Sequence, residues 1–127
     1  MKAFLAIKYY EDMRNKNLIE KIADAFKKQG IDIFVFAKDV QHFKSCDLSP
    51  EEVMKIAFGE IKKSNIFIID ASELSIGIGI EAGVAYSHGV PVYLIAKKGA
   101  EVSNSIKGIA KECYFYNSPE ELIKFKI

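Results

Sequence analysis

The sequence predicts an α/β fold, a parallel β-sheet with helices on both faces, and three observations indicate it. Short apolar runs alternate with segments of helical periodicity along all 127 residues. The short runs are apolar at successive positions, as is typical of strands buried on both faces. Hydrophobic residues make up 50% of the chain, enough for a substantial core. A chain of this length suits one domain, and we expect residues 1–127 to form it.

The first part of the chain contains two predicted strands with a predicted helix between them. Ala3–Ile7 is a short apolar run suited to a buried strand. Asn15–Gln29 has apolar residues at helical spacing, and Gly30 supplies the stop signal. Ile31–Phe36 is rich in β-branched and aromatic residues, which predicts a second strand. The polar stretch 37–47 has no clear periodicity, and we interpret it as a lid over a ligand.

A second helix is predicted by its start signals. Ser49 is a good cap, Pro50 suits the first helical position, and Glu52 lies three residues after the cap, as a capping box requires. The next strand, Asn65–Asp70, is apolar until it ends in an acid.

The remaining predicted elements continue the alternation of strand and helix. They are a helix at Ala82–Ser87, a strand at Val92–Ala96, a short helix at Ser103–Lys111, a strand at Cys113–Tyr116 and a last helix capped by Ser118. Right-handed crossovers between five parallel strands make 2-1-3-4-5 the economical strand order. We therefore predict a flavodoxin-like (Rossmann-like) three-layer sandwich.

Charge and cysteine content exclude several classes of partner. Eighteen basic residues against seventeen acidic ones give a formal net charge of +1, and Arg14 is the only arginine, so we expect neither nucleic acid nor a membrane surface as partner. No apolar run reaches the roughly 20 residues that span a bilayer. Cys46 and Cys113 have no metal-ligand spacing and are typical of free thiols in a reducing cytosol. We expect a cytoplasmic protein.

Glu81 lies among glycines and isoleucines in the segment 72–89. In sheets of the predicted type, ligands bind beyond the carboxyl ends of the strands, where the strand order reverses. That place lies between the first and third strands. Segments 8–12 and 72–89 both reach it, so we expect the functional site there.

Three interpretations of the glycine segment remain open. Gly77, Gly79 and Ala82 match a dinucleotide-binding fingerprint, although this one follows the third strand rather than the first. A purely structural interpretation places Glu81 in the first turn of a helix, where the helix dipole favours an acid. In the third interpretation Glu81 is a nucleophile.

The nucleophile interpretation explains both the acid and the glycines. A helix N-terminus and its free N–H groups would keep Glu81 ionised, so that it can attack an oxocarbenium-like sugar carbon. Gly77 and Gly79 allow unusual dihedrals or the close approach of a ring-shaped ligand. Asp70 is expected on the same rim, where it can orient a sugar hydroxyl or assist proton transfer. The residues therefore indicate glycosidic chemistry.

The segment DASELSIGIGIEAGVAYSHGVPVYLI resembles the signature of the nucleoside 2-deoxyribosyltransferase superfamily. In that family an Asp ends the third strand, a Glu follows about eleven residues later, and a Gly-x-Pro-Val turn leads into the fourth strand. The resemblance is sharpest over Asn65–Ala96. It implies that Glu81 attacks the anomeric carbon of a 2'-deoxynucleoside, the base leaves, and water or another base resolves the glycosyl-enzyme.

Within the superfamily the chain is more similar to the 2'-deoxynucleoside 5'-phosphate N-hydrolases. These carry a Ser six residues before the nucleophile, where Ser75 stands here. Their second phosphate-binding serine reaches across a dimer interface, and by position Ser103 matches it, with Ser105 as a substitute. The resemblance therefore implies a homodimer or a higher even-numbered assembly.

The chain also departs from the hydrolase pattern. Phe4 stands where the hydrolases have a tyrosine, Ala57 where they have an acid, and Tyr10 where they have an arginine. Tyr9 or Tyr10 can supply a phenol from the neighbouring turn, and Lys8 can add positive charge near a phosphate.

The sequence thus predicts an N-glycosidase that cleaves or transfers the deoxyribose–base bond of 2'-deoxynucleoside 5'-monophosphates. Three alternatives are a deoxyribosyltransferase acting on free nucleosides, an NAD glycohydrolase similar to TIR domains, and a nucleotide-binding domain without catalysis. No metal and no organic cofactor is expected, because the spacing around His42 matches no ligand pattern.

Overall fold

A computed structural model describes all 127 residues. Its elements in chain order are β1 (Lys2–Ala6), α1 (Lys16–Lys27), β2 (Asp32–Phe34), α2 (Phe36–Asp39), α3 (Pro50–Lys62), β3 (Ile66–Asp70), α4 (Ile76–Ser87), β4 (Val92–Lys97), α5 (Asn104–Lys107), β5 (Glu112–Tyr116) and a final 3₁₀ helix (Pro119–Lys124). The strands form one sheet of order β2-β1-β3-β4-β5, and every pair is parallel. The predicted fold class and strand order are confirmed.

Alternating strand residues supply the two cores of the sandwich. In β1, Ala3 and Leu5 face α1 and the 3₁₀ helix, whereas Phe4 and Ala6 face α3, α4 and α5. The three central strands are buried on both faces, which explains their continuous apolar sequence. No helix combines the length and the apolar character that crossing a bilayer would need.

Strand β2 is shorter than the sequence predicts, because the chain turns into helix α2 at Phe36. The Val35 N–H donates to the Asp39 carboxylate at 2.9 Å instead of extending the sheet ladder. Only three residues of β2 therefore pair with β1. The turn moves the side chain of Phe36 towards the carboxyl edge of the sheet, where it lines a cleft.

The predicted capping box of α3 is confirmed. Ser49 Oγ accepts from the Glu52 N–H, and the Glu52 carboxylate accepts from the Ser49 N–H. These hydrogen bonds hold the pKa of Glu52 below its usual value. The capped last helix is wrong in type: Pro119–Lys124 is a 3₁₀ helix, and the Ser118 side chain makes no capping bond.

Helix α4 begins at Ile76, six residues before the predicted start at Ala82. Ser75 is its N-cap, and Ser75 Oγ accepts from the Ile78 N–H at 3.4 Å. Ile78, Ala82 and Ala85 bury the inner face of the helix. This burial outweighs the cost of helical glycine, about 1 kcal/mol each, so Gly77 and Gly79 lie inside the helix rather than in a loop.

Candidate active site

A cleft of about 380 Å³ lies at the carboxyl end of β1 and extends to α4, the helix that follows β3. We call it the Glu81 cleft. Most of its lining is hydrophobic and comes from β1, the β1–α1 connection, α1, the segment 35–48 and the N-terminal halves of α3 and α4. The polar side chains that line it are Lys8, Tyr9, Tyr10, Asn15, Gln41, Cys46, Ser75 and Glu81. The position agrees with the place the strand order predicts for a ligand.

Glu81 is the only acid that lines the cleft. Its side chain is partly buried, and no other side chain makes an ion pair with it. Burial raises the pKa of Glu81 to about 7, with no neighbouring charge contributing. An acid with this pKa exists in both forms near neutral pH, as a group that exchanges roles during a reaction must.

The expectation that a helix N-terminus keeps Glu81 ionised is wrong. Glu81 is the sixth residue of α4 rather than a first-turn residue. The N–H groups of Ile78 and Gly79 already donate to Ser75. The helix N-terminus therefore does not lower the pKa of Glu81, and desolvation raises it instead.

The glycines of α4 do not need unusual dihedrals, so that part of the expectation is also wrong. A Cβ at Gly79 would meet no atom within 4 Å, and one at Gly77 would meet only Ser75 Oγ at 3.9 Å. Gly77 lines the cleft, whereas Gly79 is exposed outside it. Only at Gly77 does the missing side chain leave room for a ligand.

Asp70 does not line the Glu81 cleft. It ends β3 with 3% of its surface exposed and lines a neighbouring cavity of about 250 Å³. One carboxylate oxygen accepts from Tyr116 OH at 2.8 Å, and the other accepts from the Ser72 N–H at 3.0 Å. Burial and the Asp70 charge both raise the pKa of Tyr116. Asp70 thus ties β3 to β5, and its role toward a sugar stays a prediction.

Replacing Tyr116 with Phe tests the contribution of this hydrogen bond to stability. The variant leaves one oxygen of a buried carboxylate without its donor, so we expect the free energy of unfolding to fall by about 1–3 kcal/mol. Urea unfolding followed by circular dichroism measures the change. Tyr114→Phe on the same strand is the matched control, because the Tyr114 hydroxyl makes no hydrogen bond in the structure. Equal losses in the two variants would contradict the tie.

The structure brings several other predicted residues together. Lys8, Tyr9 and Ser75 line the cleft with Glu81. Ser103 is the N-cap of α5 and is exposed, and it does not line the cleft of its own chain.

Two departures from the hydrolase pattern lie in the core. Phe4 is almost fully buried and stacks on Phe67, with ring centroids 5.3 Å apart. Ala57 is equally buried in the same cluster. Tyr10 OH donates to Glu73, whereas Tyr9 is exposed and makes no side-chain hydrogen bond. Tyr9 is therefore the phenol that is free to meet a ligand.

The apolar wall of the cleft was not predicted from sequence. Its larger members are Met13, Phe36, Leu48, Val53 and Met54. They come from the β1–α1 connection, α2, the α2–α3 connection and α3, which meet only in the folded chain. The predicted lid contributes Ala37, Gln41 and Cys46 to the cleft lining. Its Phe43 instead packs on the core and lies under Lys16.

No group of three or more His, Cys, Asp or Glu side chains is placed to hold a metal ion. His88 ends α4, and its Nδ1 contacts the Val84 carbonyl at 3.0 Å, which is a structural role.

Comparisons with known proteins give a likeness in structure only. No protein-family model and no curated protein matches the sequence. The Clostridium botulinum CMP N-glycosidase BcmB is 21% identical with a TM-score of 0.71, over 98% of this chain and 95% of that chain. A 2-deoxyribosyltransferase from Bacillus psychrosaccharolyticus is 19% identical with a TM-score of 0.76, over 100% and 93%. BlsM is 20% identical with a TM-score of 0.73, over 96% and 84%. The chain shares their fold. The likeness extends over nearly the whole length of this chain.

Proposed function

We propose that the chain belongs to the nucleoside 2-deoxyribosyltransferase superfamily and cleaves the base from 2'-deoxynucleoside 5'-monophosphates. The observation that carries the proposal is Glu81, the only carboxylate in a largely apolar cleft and one without an ion-pair partner. An unpaired, partly buried acid costs stability, and such groups cluster at functional sites. Structural neighbours named as a CMP N-glycosidase and a 2-deoxyribosyltransferase support chemistry at a glycosidic bond.

In this proposal the ionised Glu81 attacks the anomeric carbon of the sugar. A carboxylate–carbon bond forms while the carbon–nitrogen bond breaks, and its electron pair leaves with the base. No second acid lines the cleft, so the departing base takes its proton from water. Water then attacks the same carbon, frees the carboxylate and passes its proton to solvent. In this proposal the apolar wall of the cleft (Met13, Phe36, Leu48, Val53 and Met54) holds the base and shields the sugar from bulk water.

Ser75 and Lys8 are the proposed phosphate ligands on this chain. Ser75 Oγ accepts from the Ile78 N–H, so its hydroxyl proton remains available to a phosphate oxygen. Ser103 of a second copy would complete the site. The outer face of α4 supports a homodimer, because Ile76, Ile80 and Tyr86 expose 86%, 48% and 59% of their surfaces there.

The test measures base release by liquid chromatography from a panel of deoxynucleosides, their 5'-monophosphates and NAD. We expect release from the monophosphates. Preference for free nucleosides, with faster turnover when a second base is added, would identify a transferase instead. Nicotinamide release would identify an NAD glycohydrolase, and binding without any release a non-catalytic domain.

The phosphate role is tested by Ser75→Ala. We expect kcat/KM for monophosphates to fall by about tenfold to a hundredfold, because a hydrogen bond to a charged group is lost. The values for free nucleosides should change little. Ser87→Ala, in the exposed last turn of the same helix, is the matched control. Equal losses on both substrate types would contradict the assignment.

A further inference from the structure

The cavity beside the Glu81 cleft has a different character from the cleft. We call it the polar annex. It measures about 250 Å³ and is lined mainly by polar and charged side chains, among them Lys8, Arg14, Glu73 and Lys97. It shares Lys8 and other residues of the β1–α1 connection with the cleft, so the two cavities adjoin. Of the charged residues that line the annex, the proposed reaction uses only Lys8.

Three cations surround the annex, and they are incompletely neutralised. Lys97 makes no ion pair in the structure. Arg14 is bound to Asp12 through Nε alone, at 3.1 and 3.2 Å, which leaves its terminal nitrogens free. Lys8 Nζ lies 3.5 Å from a Glu73 oxygen. The array therefore offers an anion one unpaired ammonium group, on Lys97, and the free terminal N–H donors of Arg14.

Two acids, Asp70 and Glu73, also line the annex, and they differ in how firmly their carboxylates are held by hydrogen bonds. Both oxygens of Asp70 are held, by Tyr116 OH and by the Ser72 N–H. Glu73 instead lies on the connection between β3 and α4, and 60% of its side chain is exposed. Its carboxylate accepts from Tyr10 OH. This hydrogen bond, together with the charges of Lys8 and Lys97, holds the pKa of Glu73 below its usual value. One anion thus already occupies the array, and it belongs to a side chain that can swing into solvent.

We propose that the polar annex is a binding site for a phosphoryl group, and that the Glu73 carboxylate is its internal occupant. A phosphate dianion has more charge and more acceptor oxygens than a carboxylate, so it can replace Glu73 between Lys8, Arg14 and Lys97. The phosphoryl group comes either from free phosphate or from a nucleotide that extends out of the Glu81 cleft. The site does not depend on the glycosidase proposal.

The prediction is that removing the internal anion strengthens phosphate binding. Inorganic phosphate is titrated into the wild type and Glu73→Gln by calorimetry, and the amide shifts of Ser72, Glu73 and Lys97 are followed by NMR. We expect Glu73→Gln to bind about fivefold or more tightly, because a like charge leaves the array. Adding Lys97→Gln should reverse the gain. Tyr10→Phe, which releases the Glu73 carboxylate, should give a smaller gain.

Glu112→Gln is the matched control, since it changes the net charge equally at an exposed position at the start of β5, on the opposite edge of the sheet. A gain of the same size in both variants, or shifts confined to other amides, would overturn the proposal. The titration is repeated with deoxyadenosine 5'-monophosphate and with deoxyadenosine in a Glu81→Gln background. A gain for the monophosphate and not the nucleoside assigns the site to nucleotides. A gain for inorganic phosphate alone assigns it to free phosphate, and no gain for either overturns it. Binding is read without base release, so this test can succeed even where the glycosidase assay fails.

Discussion

Replacing Glu81 with Gln is expected to lower the rate of base release by at least about a thousandfold, because the amide cannot form the glycosyl ester. The amide has nearly the same size, so the cleft should keep its shape. Glu81→Asp keeps a carboxylate but withdraws it by one methylene, and an intermediate rate is expected. Both rates are measured by liquid chromatography on the preferred monophosphate.

The pH dependence of the wild type gives an independent check on the same residue. A nucleophilic carboxylate must be ionised, so kcat/KM should rise with pH through a midpoint near the Glu81 pKa of about 7. Base release that survives in Glu81→Gln, or a profile that is flat from pH 5 to 8, would remove Glu81 from the reaction. The fold assignment would be untouched.

Glu81→Gln is also expected to stabilise the folded protein at pH 8. Folding raises the pKa of Glu81 from 4.5 to about 7, so the folded state binds more protons than the unfolded state between these values. The carboxyl group therefore costs nothing below about pH 4.5, and stability falls as the pH rises through 7. At pH 8 the penalty is about 2–3 kcal/mol, after allowing for the partial exposure of the side chain.

Glutamine does not ionise and escapes this penalty. Urea unfolding of the wild type and Glu81→Gln at pH 5, 6, 7 and 8 should give curves that separate with rising pH, with the variant more stable at the alkaline end. If the difference in unfolding free energy between the wild type and Glu81→Gln stays constant from pH 5 to 8, Glu81 is solvated or paired in the folded chain. Loss of activity together with a gain in stability is the pattern expected of a strained functional group.

The strand order could be predicted from sequence because apolar runs of strand length and helical periods alternate with few interruptions. The start of α4 could not. Glycine at positions 77 and 79 is typical of loops, and only the packing of Ile78, Ala82 and Ala85 against the sheet makes the helix begin earlier. The raised pKa of Glu81 could not be predicted for the same reason, since the position of Glu81 in the helix decides how the backbone N–H groups act on its carboxylate.

The location of the candidate site followed from topology, but its composition did not. Asp70 ends β3 and Glu81 lies in the next helix, α4, yet they line different cavities. The partner that holds Asp70 is Tyr116, 46 residues away in sequence, and no local pattern indicates that pairing. The cleft wall has the same origin, because Met13 and Met54 become neighbours of one cavity only when α1 and α3 are in place.

The bond between Asp70 and Tyr116 passes over β4 and joins the central strand of the sheet to its outermost one. The edge strand β5 therefore contributes to the stability of the sheet centre. A protease cut or truncation that removed β5 would leave the buried Asp70 carboxylate without its Tyr116 donor, in the wall of a cavity at the carboxyl edge of the sheet.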